Sequence, residues 1–147
     1  MIMNVNRREM NFRNDKTTCS IYLEGSTITD IPAFYKQLNE QLMQDENWRL
    51  GESLDAFDDV LYGGYSKWKD YDQLEIVWKD IAVSERSLGV ATTKAYYQSK
   101  LEPNSPFNQQ FFEEKLKHLE AGTGQTYFDI LMEIIESHSE TVRLVKR

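Results

Sequence analysis

The sequence predicts an α/β protein in which a small three-stranded parallel sheet is covered by helices. Two observations lead there. Three short runs, Thr18–Glu24, Leu74–Lys79 and Thr141–Lys146, are rich in the β-branched and aromatic side chains that suit a pleated surface. Between them lie stretches with apolar residues at helical spacing, and strands separated by helices are the arrangement that joins parallel neighbours.

Length and composition set the frame. A chain of 147 residues is long enough for one well-buried domain and short for two. With 40% apolar and 28% charged residues the composition is that of an ordinary globular domain, which argues against disorder and against a membrane span. Residues 1–16 carry arginines but no apolar core of signal-peptide length, so they are expected to form a flexible head on a single domain of residues 17–147. The single cysteine, Cys19, excludes an internal disulfide framework, and a reducing cytoplasm is the expected location.

Thr18–Glu24, ending at Gly25, is the expected first strand. Asp30 then caps a helix that tolerates Pro32 in its first turn, with Ile31, Phe34, Tyr35, Leu38 and Leu42 on one face. The next helix falls within Trp48–Tyr65. Ser53 is its N-cap and Gly63-Gly64 its end, for Ser accepts from first-turn amides and glycine tolerates left-handed geometry. Leu54, Phe57 and Leu61 form its inward face and Asp55, Asp58 and Asp59 its outward one, with the four-residue spacing of Asp55 and Asp59 setting their carboxylates side by side.

After Leu74–Lys79 the chain is harder to place. Ala91–Leu101 and Phe107–Leu119 are expected to form a helical hairpin inserted at about residues 84–124, with Ser105 as cap and Pro106 as first helical residue of its second arm. Such a hairpin either lengthens the helical cover of the core or supplies a separate binding surface. A helix over Thr126–His138, with Tyr127, Ile130, Leu131, Ile134 and Ile135 inward, precedes the last strand.

The net charge of −7 is unevenly spread. The first sixteen residues are net positive, while Glu24–Asp80 holds thirteen acidic and five basic side chains, a net of −8. A field of that sign disfavours direct nucleic-acid binding, which rests on Lys and Arg against phosphate, and favours a basic protein partner. Acidic surfaces also simply keep proteins soluble.

Few side chains suggest chemistry. His118 and His138 each stand alone without a second His or Cys at ligand spacing, Cys19 lies in an expected strand, and Gly63-Gly64 lacks the Lys-Ser/Thr that a phosphate loop needs, so no metal or cofactor is expected. The acidic helix admits three readings. Its acids can serve only the helix dipole; Asp55 and Asp59 can hold a metal or act as an acid and base pair; or the two can enter a cationic cleft of a partner.

The run Leu50-Gly51-Glu52-Ser53-Leu54-Asp55-Ala56-Phe57-Asp58-Asp59-Val60-Leu61 resembles the central motif of the barstar family, intracellular inhibitors of barnase-type ribonucleases, whose pattern is G-x-N-L-D-A-L-x-D-x-L. Ser53 stands where the family usually has Asn, and Arg49 where many members carry an aromatic residue. The resemblance covers roughly Ser20–Lys79 and Gly124–Lys146. It implies a barstar-like fold, no catalysis, and one-to-one blockade of a basic ribonuclease. It makes Asp59 the central anion, Asp55 its companion, Gly51 a position of close backbone approach, and Trp48, Arg49 and Leu50 a rim against the partner. A further acidic contact is expected from Glu133, or from Glu136 if the register slips. The alternatives are an immunity or antitoxin module against a toxin other than a ribonuclease, and a metal-dependent enzyme.

Overall fold

The computed structural model describes residues 16–147; the expected N-terminal head lies, apart from Lys16, outside the described residues. Three strands, β1 (Thr18–Glu24), β2 (Gln73–Lys79) and β3 (Val142–Lys146), form one parallel sheet in the order β1-β2-β3. The register aligns Cys19 with Leu74 and Val142, and Ile21 with Ile76 and Leu144. These side chains therefore share a face, because residues alternate sides along a strand. That face joins the core.

Among the described residues six α-helices, with short 3-10 turns at Gly25–Thr27 and Lys67–Asp70, accompany the sheet: α1 (Ile31–Leu42), α2 (Leu54–Val60), α3 (Ile81–Ser87), α4 (Val90–Lys100), α5 (Gln109–Glu120) and α6 (Tyr127–Ser137). α1 starts where Asp30 accepts a hydrogen bond from the Ala33 amide at 2.8 Å, and it buries Phe34, Tyr35, Leu38 and Leu42. α6 opens on a reciprocal cap between Thr126 and Asp129 and buries Tyr127, Phe128, Leu131 and Ile135. Both helices thus place their apolar faces on the same side of the sheet.

The opposite face of the sheet is polar at one row. Ser20 Oγ donates to Glu75 Oε1 at 2.9 Å, and Arg143 Nε approaches Glu75 Oε2 at 3.6 Å across the three strands. The free edge of β1 is blunted by α1. Gln41 and Gln37, four residues apart, accept from the amides of Tyr22 and Glu24 at 2.9 and 2.8 Å, which occupies donors that another strand would otherwise pair with.

Trp78 sits at the centre of the core with no exposure. Its ring stacks on Phe34 with centroids 5.6 Å apart, and its Nε1 donates at 2.9 Å to Ser84 Oγ, which donates in turn to the Gly25 carbonyl. This chain locks α3 against the end of β1. Gly25 is required there, since a Cβ would lie 2.3 Å from the Lys79 carbonyl oxygen.

Two features of the hairpin region differ from expectation. α5 begins at Gln109 rather than Pro106, because Asn108, accepting from the Phe111 amide at 3.0 Å, is the cap, while Ser105 Oγ closes a turn onto the Phe107 amide. α3 is an additional helix: it follows β2 directly, and seven residues give too few turns for a period to show. α4 joins the core. Its Thr93 is fully buried and accepts from the Tyr127 amide at 2.7 Å, whereas α5 packs on α4 and buries only Leu119.

Candidate functional site

α2 is two turns long, and a helix that short has no stability of its own in water. Its neighbours hold it. Ser53 accepts from the Ala56 amide at 3.1 Å, Phe57 and Val60 are buried, and the indole of Trp68 donates to the Val60 carbonyl at 3.0 Å. Val60 takes the inward place expected of Leu54, which is only partly buried; Leu61, just past the helix, is buried as expected. Gly63 then turns the chain at φ +86°, tight against the Trp68 ring.

The entry to α2 is equally fixed. Asn39 of α1 pairs both ways with the backbone of Leu50, accepting from its amide at 2.7 Å and donating to its carbonyl at 3.2 Å. Leu50 itself is buried, so its side chain serves the core rather than a rim. Arg49 folds back. Its Nη1 donates to the carbonyls of Met43, Glu46 and Trp48 at 3.1, 3.2 and 3.0 Å, which ties its positive charge to the loop that follows α1. Gly51 is exposed, and a Cβ there would meet nothing within 4 Å.

The three aspartates of α2 have different surroundings. Asp55 is exposed, and among the described residues nothing hydrogen-bonds its carboxylate. Asp59 is exposed and accepts from the hydroxyl of Tyr65 at 2.9 Å. Burial, then this bond and the Asp59 charge, push the Tyr65 phenol up to about 12, so the hydroxyl stays a donor into the alkaline range. Trp48 packs its ring 5.0 Å from that of Tyr65 and remains 44% exposed. Asp58 is engaged by His138, whose Nε2 lies 2.7 Å from its Oδ1.

Tyr65 and His138 join the site without a signal in the sequence. The partner of Tyr65 lies six residues back across a turn, and that of His138 lies eighty residues away, so neither link leaves a recognisable spacing. Glu133 is exposed on α6 with Gln125 Nε2 at 3.5 Å, and Glu136 borders a groove of about 400 Å³ along β3 with Met132, Ile135 and Leu144. Cys19 is buried in β1, and burial pushes its thiol up despite the nearby Lys67. Among the described residues no three His, Cys, Asp or Glu side chains gather as a metal site would require. Nor is any described helix long and apolar enough to cross a membrane.

Near the N-terminal end of α2 lies a cluster of tyrosines from α1, α4 and α6. The hydroxyls of Tyr35 and Tyr127 are 2.7 Å apart and buried, and Tyr96 meets the Tyr127 ring edge-on at 5.1 Å. Burial raises all three phenols, and negative charge adds to it, from Glu52 for Tyr35 and Tyr127 and from Asp55 for Tyr96. A raised phenol stabilises the fold fully below the unfolded value of 10.0, and that contribution is lost as pH climbs toward the folded one, because the unfolded tyrosines ionise first. Stability measured by urea unfolding is therefore expected to fall from about pH 10 upward. Tyr35→Phe should make the decline shallower, and an equal decline in that variant would place its cause elsewhere.

The fold and site define a small α/β protein that presents carboxylates on a short, externally braced helix. A family profile described as Barstar (barnase inhibitor) matches residues 19–97. The match spans over half of the chain, and the chain belongs to the barstar family, whose members are inhibitors rather than enzymes. It runs on through α3 and into α4, past the Lys79 at which the resemblance carried by the motif breaks off, and it stops before α5, α6 and β3. No curated protein and no solved structure matches.

Proposed function

We propose that this protein binds a basic ribonuclease one-to-one and blocks its active site with Asp59 and Asp55. The observation that carries the reading is the division of labour on α2: Asp58 is held within the molecule while Asp55 and Asp59 stand exposed on adjacent turns. A phosphodiesterase cleft must be cationic to hold its substrate, and a carboxylate on a braced helix offers charge-assisted bonds to the same groups without a bond to cleave. Tyr65 fixes one oxygen of Asp59 beforehand, which lowers the ordering cost of association. Trp48 and the open space before Gly51 suit a close approach of the partner, and Glu133 supplies the further acid.

Arg49 has the wrong sign for a basic partner, but with its guanidinium folded onto three carbonyls it braces the loop instead of forming the rim. Leu50 acts likewise from beneath. A cytoplasmic antidote role, against a nuclease that the cell itself makes, accords with a lone cysteine buried in the core.

Capture from extracts of the source cell tests this, comparing wild type with Asp55→Ala/Asp59→Ala. Wild type alone is expected to retain a basic protein with ribonuclease activity. Equal capture by both, or a catch without nuclease activity, contradicts the proposal.

A further inference from the structure

His138 is the C-cap of α6, and its position is fixed on both sides. Its amide donates to the Ile135 carbonyl at 3.0 Å, and its own carbonyl accepts from the amides of Thr141 and Val142 at 3.0 and 2.9 Å, where the chain enters β3. The imidazole is buried, with its side chain 7% exposed. It meets two groups from the region of α2. Nε2 lies 2.7 Å from Asp58 Oδ1, and the ring of Tyr62 stands edge-on with centroids 4.6 Å apart. A buried imidazole on a rigid turn, bonded to a partly exposed aspartate of a seven-residue helix, is a directional tether.

We propose that His138 is a positioning residue for the acidic helix: by holding Asp58 it sets the rotation of α2 that turns Asp55 and Asp59 outward together. Helical geometry supplies the leverage. At 3.6 residues per turn, Asp55 and Asp59 lie about 40° apart around the axis, with Asp58 about 60° from the nearer of them. Any roll of the helix moves all three.

The apolar contacts of Phe57 and Val60 are non-directional, and sliding or rolling by a fraction of a turn keeps most of them. The capping bond of Ser53 and the indole bond from Trp68 go to backbone at the two ends and set height more than roll. Among the described residues, the bond from Tyr65 to Asp59 comes from the loop just past α2, whereas the side-chain bond to Asp58 is the one that an outward-facing residue of α2 makes to a distant element. It ties the helix through α6 and β3 to the sheet, and it comes from a residue beyond the 19–97 match. The effect on recognition rests on the ribonuclease proposal, whereas the ordering of α2 does not.

Amide hydrogen exchange on the free, full-length chain tests the tether, with His138→Ala, His138→Gln and Asp59→Ala beside wild type. A lost charge-assisted bond of this kind should speed exchange of the α2 amides in His138→Ala by about tenfold, while the β2 amides stay within about threefold. The amide of His138→Gln places a donor near the Nε2 position and should restore α2 to near wild-type exchange. Asp59→Ala, which gives up only the exposed bond from Tyr65, should keep α2 exchange within about threefold. The inference is overturned if His138→Ala leaves α2 exchange unaltered, if the alanine and glutamine variants behave alike, or if all amides accelerate together as for a residue that merely fills the core. Because Asp59→Ala touches binding but not the tether, failure of the ribonuclease proposal shows in capture and failure of the positioning proposal shows in exchange.

Discussion

Asp59→Ala is expected to weaken binding of the captured ribonuclease by on the order of 100-fold or more, with most of the loss in the dissociation rate. The magnitude follows from what truncation leaves behind. A carboxylate that enters a cationic cleft is desolvated with its partners, and removing it strands buried positive charge, which costs about 3 kcal/mol or more where charged pairs are broken from one side. Association should slow less. It is driven by the summed field of a segment carrying a net −8, of which Asp59 is one charge, and that field is screened over about 10 Å at 0.1 M salt. Asp59→Asn separates charge from shape, because it keeps an oxygen for the Tyr65 hydroxyl while removing the anion. If the asparagine variant binds like wild type, the site works through its shape and the charge argument fails. Neither change should move unfolding stability by more than about 0.5 kcal/mol, as expected of an exposed side chain.

Trp78→Ala should have the largest effect on the fold, about 4 kcal/mol in urea unfolding followed by circular dichroism. The loss has three parts. The ring leaves a cavity in a close-packed core, Phe34 and Phe128 lose a face and an edge, and Ser84 loses the indole donor that helps lock α3 to the end of β1. A domain of this size has only about 5–15 kcal/mol of total stability, so the variant should be near the edge of folding at 37 °C. Trp48→Ala is the control. Its ring is 44% exposed and packs on Tyr65 alone among the described aromatic rings, and it should cost well under half as much. Comparable losses at the two tryptophans would mean that Trp78 is not the centre of the core.

Elements with strong local patterns are legible in the amino-acid sequence. β1 lies where the run Thr18–Glu24 puts it, and α1 and α6 fall where the apolar periods of Phe34, Tyr35 and Leu38 and of Tyr127, Leu131 and Ile135 place them. In each case the local signal and the tertiary burial agree. Where signals are short or compete, the sequence is ambiguous. α3 has too few residues for a period, and the start of α5 is contested between Ser105-Pro106 and Asn108, which differ by tertiary fit more than by capping chemistry.

The candidate site is legible as an acidic helix, because Ser53, the buried Phe57 and the turn at Gly63 are local features. Its bracing is not. Arg49 has the look of a free charge until three carbonyls are found around its exposed side chain, and Leu50 that of a rim residue until its side chain is found buried and its backbone paired with Asn39. The same holds for Asp58. The motif singles out Asp55 and Asp59, but nothing local to α2 shows that the third aspartate is held by a histidine eighty residues away.

The most direct measurement is an activity titration of the captured ribonuclease with the purified protein. Activity is expected to fall linearly and to reach its floor at one protein molecule per nuclease, with an end point that moves to large excess for Asp55→Ala/Asp59→Ala. Full nuclease activity at saturating protein, or an identical end point for the double variant, would contradict the claim that this acidic helix closes a ribonuclease active site.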